Sequence, residues 1–208
     1  MNAADYTIGA SVVKLAREIV MSSADAVKWN ERYQARAEPA FELPRAFLIA
    51  QAQHLPERGL ALDIATGLGG NAGFLIERGL RVIGVDISEV GVRRARERRP
   101  ALLGAVIDLT NYRWPPCSFD VILNFYYCQR DLWSRFRSML KPGGVLIMET
   151  MTIEMLRTRP DYNPDYLLQP GELQRAFSAW EVLVYREGWV ELGLSAPRAV
   201  ASLVAKRP

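Results

Sequence analysis

At 208 residues, with 50% hydrophobic and 24% charged content, the chain is long enough to bury one core, and no composition break divides it in two. A formal charge of +3 is small for a nucleic-acid binder, one histidine cannot build a histidine metal cluster, and Cys117 and Cys128 have neither metal spacing nor the number for a disulfide framework. No apolar run approaches the ~20 residues of a membrane span, so the expectation is one α/β domain in a reducing cytoplasm, taking no metal, nucleic acid or membrane.

In the first segment Ile8, Val12, Leu15, Ala16 and Ile19 recur at helical spacing. Residues 1–24 therefore read as an extension, either an amphipathic helix over 10–20 or a disordered stretch ahead of a native start at Met21, and residues 25–208 as the domain. Lys14, Arg17 and Glu18 interrupt the extension where a signal-peptide core would exclude charge.

The apolar run from Leu60 to Ala65 predicts a strand over 60–66, and Asp63-Ile64-Ala65-Thr66-Gly67-Leu68-Gly69-Gly70 leads it into a glycine turn and a helix over 69–79. Gly67 and Gly69 permit positive φ and close approach of a ligand to backbone amides. Thr66 and Asn71 add polar groups beside the turn. A strand over 81–87 ends in Asp86, which lies 19 residues after Gly67, near the ~20 at which an acid meets ribose hydroxyls in nucleotide folds. Ser88 is the better cap for the following helix over 89–99, whose Arg93, Arg94, Arg96, Arg98 and Arg99 read as a solvated face.

Strands follow over 102–108, ending at Asp108-Leu109, and over 119–126, ending near Asn124; then come a helix over 130–140 and a strand over 144–150. Residues 151–169 are interrupted by Pro160 and Pro164 and read as a loop above the same edge, where Arg130, Arg157, Arg159, Tyr162 and Tyr166 either face an acceptor or are ordinary surface. A helix over 171–179 and strands over 181–187 and 198–206 complete the chain. The alternation predicts a seven-stranded, doubly wound, mostly parallel sheet with helices on both faces, and such sheets bind ligands outside the carboxyl ends of their strands. Asp63, Asp86, Asp108 and Asn124 would converge there.

Through Asp63 to Gly70, Asp86, Asp108, the run Ser118-Phe119-Asp120-Val121-Ile122-Leu123-Asn124 and the run Leu140-Lys141-Pro142-Gly143-Gly144-Val145-Leu146-Ile147, residues 25–206 resemble the class I S-adenosylmethionine-dependent methyltransferases. Lys28-Trp29-Asn30-Glu31-Arg32-Tyr33, Asn124-Phe125-Tyr126-Tyr127 with Arg130-Asp131-Leu132, and Pro170-Gly171-Glu172-Leu173 are similar to its tellurite-resistance and thiopurine methyltransferase-like branch. The resemblance implies an antiparallel last strand, S-adenosylmethionine as cofactor, and a small-molecule acceptor such as a thiol or a metalloid oxyanion. It also implies roles. Gly67 and Gly69 form the cofactor turn, Asp63 orients the methionyl end, and Thr66 and Asn71 add contacts. Asp86 would take the ribose hydroxyls, Ile87 the adenine face, and Asp108 with Leu109 the adenine edge, although Asp108 can equally initiate a turn. Tyr33 and Arg32 would close over the cofactor, with Trp29 as a packing anchor. Asn124 and Tyr126 are the catalytic candidates, and Asn124 also counts among the cofactor contacts. The amino-methylating enzymes carry Asn/Asp-Pro-Pro-Tyr/Phe where this chain has Asn124-Phe125-Tyr126-Tyr127, which argues against base or glutamine methylation.

Gly67-Leu68-Gly69-Gly70-Asn71-Ala72 also satisfies the loose G-x-G-x-x-G/A dinucleotide pattern. Asp63 suits a cationic ligand and sits poorly beside a pyrophosphate, and no Tyr-x-x-x-Lys proton relay accompanies the pattern. An NAD-type oxidoreductase is the first rival, and a non-catalytic module that binds S-adenosylmethionine is the second. Oligomeric state has no signal in the sequence.

Overall fold

A computed structural model describes residues 24–35, 43–110, 112, 114–192 and 195–208. The expected helix over 10–20 lies outside the described residues. In chain order the elements are α1 (Ala24–Ala35), α2 (Ala46–Ala50), β1 (Leu60–Ile64), α3 (Gly70–Glu77), β2 (Arg81–Asp86), α4 (Glu89–Arg98), β3 (Leu103–Val106), β4 (Phe119–Phe125), α5 (Arg130–Met139), β5 (Leu140–Met151), α6 (Glu172–Ala176), β6 (Glu181–Leu192) and β7 (Ser195–Lys206). The seven strands form one sheet in the order β3-β2-β1-β4-β5-β7-β6. The first five run parallel, and β7 is antiparallel to both of its neighbours.

Strand alternation sorts the apolar side chains into two layers. Leu60, Leu62 and Ile64 of β1 pack with Leu132, Phe136 and Met139 of α5 on one face, whereas Ala61 packs with Phe47 and Leu48 of α2, Leu75 of α3 and Ala95 of α4 on the other. β1, β2 and β4 are buried almost throughout, as a parallel sheet covered by helices requires, and Asp63, Asp86 and Asn124 are buried polar groups near their carboxyl ends.

Several extents differ from the sequence reading; β5, expected over 144–150, already begins at Leu140. β6 and β7 are each 12 residues long and form a hairpin that continues past the end of β5. The strand expected over 181–187 stops short of Gly188, which at φ 149 carries the ladder onward through the Gly188↔Val200 pair. Pro197 is tolerated because the register shifts between Val190 and Leu192, at a bulge where no ladder amide is needed. The segment after β5 is more structured than a simple loop. It forms 3-10 turns at Ile153–Arg157 and Pro164–Tyr166, bridges Thr152 to Leu168, and buries Met155, Leu167 and Leu168. Among the described residues no helix is long and apolar enough to cross a membrane.

Candidate active site

At the carboxyl end of β1 the chain turns through Gly67 at φ 56 and Gly69 at φ 77, and Gly69 starts α3 from the left-handed region. A Cβ added to Gly67 would stand 2.9 Å from the Tyr33 hydroxyl oxygen, so both conformation and close approach call for glycine there. Asp63, 1% exposed, accepts a 2.6 Å hydrogen bond from the Thr66 hydroxyl on Oδ2. Burial pushes its carboxyl up to about 7 against the pull of that bond, and the nearby Asp86 adds to the rise while Arg45 opposes it. Asp86 is also buried; its Oδ2 accepts from the Gly67 amide at 2.8 Å and its Oδ1 from the Ser88 amide at 2.9 Å. Burial raises it to about 6 despite those bonds. Two buried acids side by side make the turn favourable for a ligand that brings positive charge or hydroxyl donors.

Ser88 caps α4 as expected, its Oγ accepting from the Gly91 amide at 3.0 Å and donating to Asn30 Oδ1 at 2.6 Å. Asn30 Oδ1 also accepts from the Val90 amide, which fixes α1 across the start of α4. That docking lays Tyr33, buried, over Gly67 and Gly91, with Trp29 against its ring at 5.6 Å and Arg32 over Trp29 at 4.8 Å. Sequence reasoning assigned nothing to Asn30, and no local signal marks it.

The remaining candidates take varied positions. Asp108 is half-buried and its Oδ1 accepts from both the amide and the hydroxyl of Thr110, the arrangement of a turn-initiating aspartate. Leu109 is in the core and Ile87 is partly buried behind Asp86. Asn71 Oδ1 accepts from the Arg45 amide at 2.9 Å, which ties the entry of α2 to α3. Asn124 is fully buried between its partners Ile64 and Met148, its amide 3.9 Å from the Met148 sulfur and its Oδ1 without a hydrogen-bond partner.

Tyr126 follows at φ 58, strained for a non-glycine residue, with its amide bonded to the Glu149 carbonyl at 2.8 Å and its hydroxyl donating to Glu149 Oε1 at 3.1 Å. Burial and Glu149 push its phenol up to about 12. Tyr127, to which the sequence reading gave no role, donates to Gln129, and burial together with Asp108, Asp131 and Asp86 raises its pKa.

Of the arginines weighed as acceptor contacts, Arg130 binds Glu172 and the carbonyls of Asp165 and Leu167, Arg157 pairs with Glu154 at 3.1 Å, and Arg159 pairs with Asp161 at 2.9 Å beside Tyr162. Tyr162 packs with Met155, whereas Tyr166 is 55% exposed.

Residues 61–144 match a family model described as a methyltransferase domain. Over 107 residues the chain is 30% identical to a Bacillus subtilis (strain 168) protein named "Putative methyltransferase YqeM", a match covering 46% of this chain and 43% of that one. TehB from Haemophilus influenzae superposes with a TM-score of 0.66 at 17% identity over 88% of this chain and 67% of its own. Geranyl diphosphate C-methyltransferase from Streptomyces coelicolor A3(2), solved with Mg2+, geranyl-S-thiolodiphosphate and S-adenosyl-L-homocysteine, superposes at 0.66 with 15% identity over 91% of this chain and all (100%) of its own. The matched segment contains the glycine turn, Asp63 and Asp86. Residues 61–144 thus resemble a methyltransferase domain, and the chain has the class I S-adenosylmethionine-dependent methyltransferase fold.

Proposed function

We propose that this chain is a methyltransferase that uses S-adenosylmethionine to methylate a small-molecule acceptor. One observation carries the reading: Asp86, at the end of β2, bridges the Gly67 and Ser88 amides and leaves carboxylate lone pairs for two ribose hydroxyls beside the buried Asp63. In this reading Gly67 and Gly69 present backbone to the cofactor, Thr66 and Asn71 brace the turn, Ile87 and Leu109 flank the adenine with Asp108 at its edge, and Tyr33 covers the methionyl side.

When bound, S-adenosylmethionine supplies a methyl group already activated on a sulfonium. The chain's own work is then positioning and exclusion of water. Tyr126 stays protonated at neutral pH and donates to Glu149, so it lines the acceptor side without acting as a base. Asn124, sealed beneath it, positions the end of β4. An acceptor that attacks without a strong base fits this arrangement, a soft thiol or a metalloid oxyanion among them. The dinucleotide alternative is disfavoured by β7, whose antiparallel insertion between β5 and β6 departs from the two βαβαβ halves of that fold.

Calorimetric titration with S-adenosylhomocysteine and with NAD tests the reading. Saturable binding of S-adenosylhomocysteine that Asp86→Ala weakens by roughly a hundredfold is expected, since a hydrogen bond to a charged group contributes ~1.5–3 kcal/mol. Binding of NAD in its place would overturn it.

A further inference from the structure

Among the described residues the buried carboxyl groups are Asp63 and Asp86, at the glycine turn, and Glu149 of β5, 3% exposed. β5 pairs with β7 so that Glu149 stands opposite Ser202, and β7 pairs with β6 so that Ser202 stands opposite Arg186. Directly opposed residues of antiparallel strands share a face of the sheet, and these three close a ring of hydrogen bonds. Arg186 donates from Nη2 to Glu149 Oε2 at 3.0 Å and from Nε to Ser202 Oγ at 3.1 Å, and Ser202 donates to Glu149 Oε2 at 2.7 Å. Phe47 carries the Arg186 guanidinium on its ring at 4.6 Å. A buried carboxylate is costly unless it is paired and hydrogen-bonded, and Oε2 alone meets that need. Oε1 goes to the Tyr126 hydroxyl at 3.1 Å.

Glu149 thus holds Tyr126 at both ends, since the Tyr126 amide donates to the Glu149 carbonyl at 2.8 Å and the phenol donates to the side chain. The guanidinia of Arg45 and Arg198 lie 4.8 Å and 5.1 Å from the centroid of the same ring. At φ 58 Tyr126 occupies the left-handed region, which a non-glycine residue keeps only where its surroundings over-determine it. It stands two residues past Asn124, just beyond the end of β4 at Phe125, on the carboxyl edge of the sheet. Strain held by a braced, buried acid at that edge matches a functional side chain fixed from behind by a supporting layer.

We propose that Glu149 is a positioning residue: braced by Ser202 and Arg186, it fixes the backbone and phenol of Tyr126 in the orientation that forms the acceptor wall of the site. This rests on the methyltransferase reading, which puts the acceptor beside Tyr126. Holding an acceptor in line with an activated methyl group is the chain's main work in that reaction, and small misplacements of the holding groups are costly to it.

The experiment labels the full chain with 3-fluorotyrosine and follows Tyr126 by fluorine NMR, its signal assigned as the one missing from Tyr126→Phe. Wild type, Glu149→Gln, Glu149→Ala and Ser202→Ala are compared with and without S-adenosylhomocysteine, each checked by thermal melting and by calorimetric titration with that nucleoside. The expected wild-type result is one narrow Tyr126 signal that S-adenosylhomocysteine shifts. In Glu149→Ala the signal should broaden and lose that response, while S-adenosylhomocysteine affinity changes by less than about threefold. Glu149→Gln keeps a partner for the phenol and should restore the narrow signal. Its Tyr126 should also ionise at lower pH than in wild type, because Glu149 and burial raise that phenol whereas Arg198 and Arg45 lower it. Ser202→Ala, which removes only the brace, should fall between the two and carries the test if Glu149→Ala does not fold. A Tyr126 signal that no Glu149 or Ser202 substitution alters would overturn the positioning role. So would a wild-type signal that bound S-adenosylhomocysteine leaves in place, since Tyr126 would then stand away from the site. If wild type binds no S-adenosylhomocysteine, the methyltransferase reading fails by itself, whereas the hold of Glu149 on Tyr126 still stands or falls on the ligand-free spectra.

Discussion

The two halves of the sheet's carboxyl edge are made of different materials. At the ends of β1 and β2 the site is backbone and acid: two glycines at positive φ and two buried carboxylates whose pKa values burial raises to about 7 and about 6. At the ends of β4, β5 and β7 it is side chain and base, with Arg45, Arg186 and Arg198 around Tyr126 and Glu149. A backbone cradle recognises what many ligands share, whereas a side-chain cluster can change residue by residue.

The largest expected effect breaks the first half. Gly67→Ala forces a Cβ into the left-handed region, at ~1–2 kcal/mol, and toward the Tyr33 hydroxyl 2.9 Å away. Melting should fall by several degrees and S-adenosylhomocysteine binding should weaken more than tenfold, while the ligand-free fluorine signal of Tyr126 keeps its place if the halves are independent. Loss of that signal as well would show one coupled site.

The next effect is on pH dependence. Asp63 and Asp86 titrate at about 7 and about 6 in the folded chain against ~3.9 when unfolded. Between roughly pH 4 and pH 7 the folded chain therefore binds more protons than the unfolded one, and these two acids make stability fall as pH rises through that window. Asp63→Asn should remove part of that slope and stabilise the chain at pH 8 by on the order of 1–4 kcal/mol. An unchanged slope in chemical denaturation would show that Asp63 ionises normally.

The smallest effect sharpens the border of the second half. Arg130 fastens the segment after β5 through Glu172, Asp165 and Leu167, and its side chain is 41% exposed. Arg130→Ala should cost within about 1 kcal/mol, speed proteolysis between residues 153 and 168, and leave S-adenosylhomocysteine affinity alone. Weakened S-adenosylhomocysteine binding with intact stability would tie Arg130 to the candidate site.

The contrast also explains what could be read in advance. Alternation of apolar runs, the glycine turn and an acid closing the second strand are local patterns, and β1, β2 and Asp86 stand close to where those patterns put them. Asp108 shows the limit of such reading, because an aspartate that starts a turn and one that awaits a base edge have the same sequence, and its bonds to Thr110 reveal only the first. The reach of β6 past Gly188 was hidden because a glycine stops a strand in one register and extends it in another.

By itself the sequence determined the doubly wound sheet and the glycine-and-acid half of its edge, because strand periodicity, positive φ at glycine and short-range acid placement are properties of neighbouring residues. Only the tertiary structure decided that Arg45, Tyr126, Glu149, Arg186, Arg198 and Ser202 share one place. That meeting depends on β7 running antiparallel between β5 and β6, which sets Ser202 opposite both Glu149 and Arg186, and on a bond between Arg45 and Asn71. Contacts of that range leave no periodic trace along the chain, since they are fixed by the order and direction of strands rather than by the identity of adjacent residues.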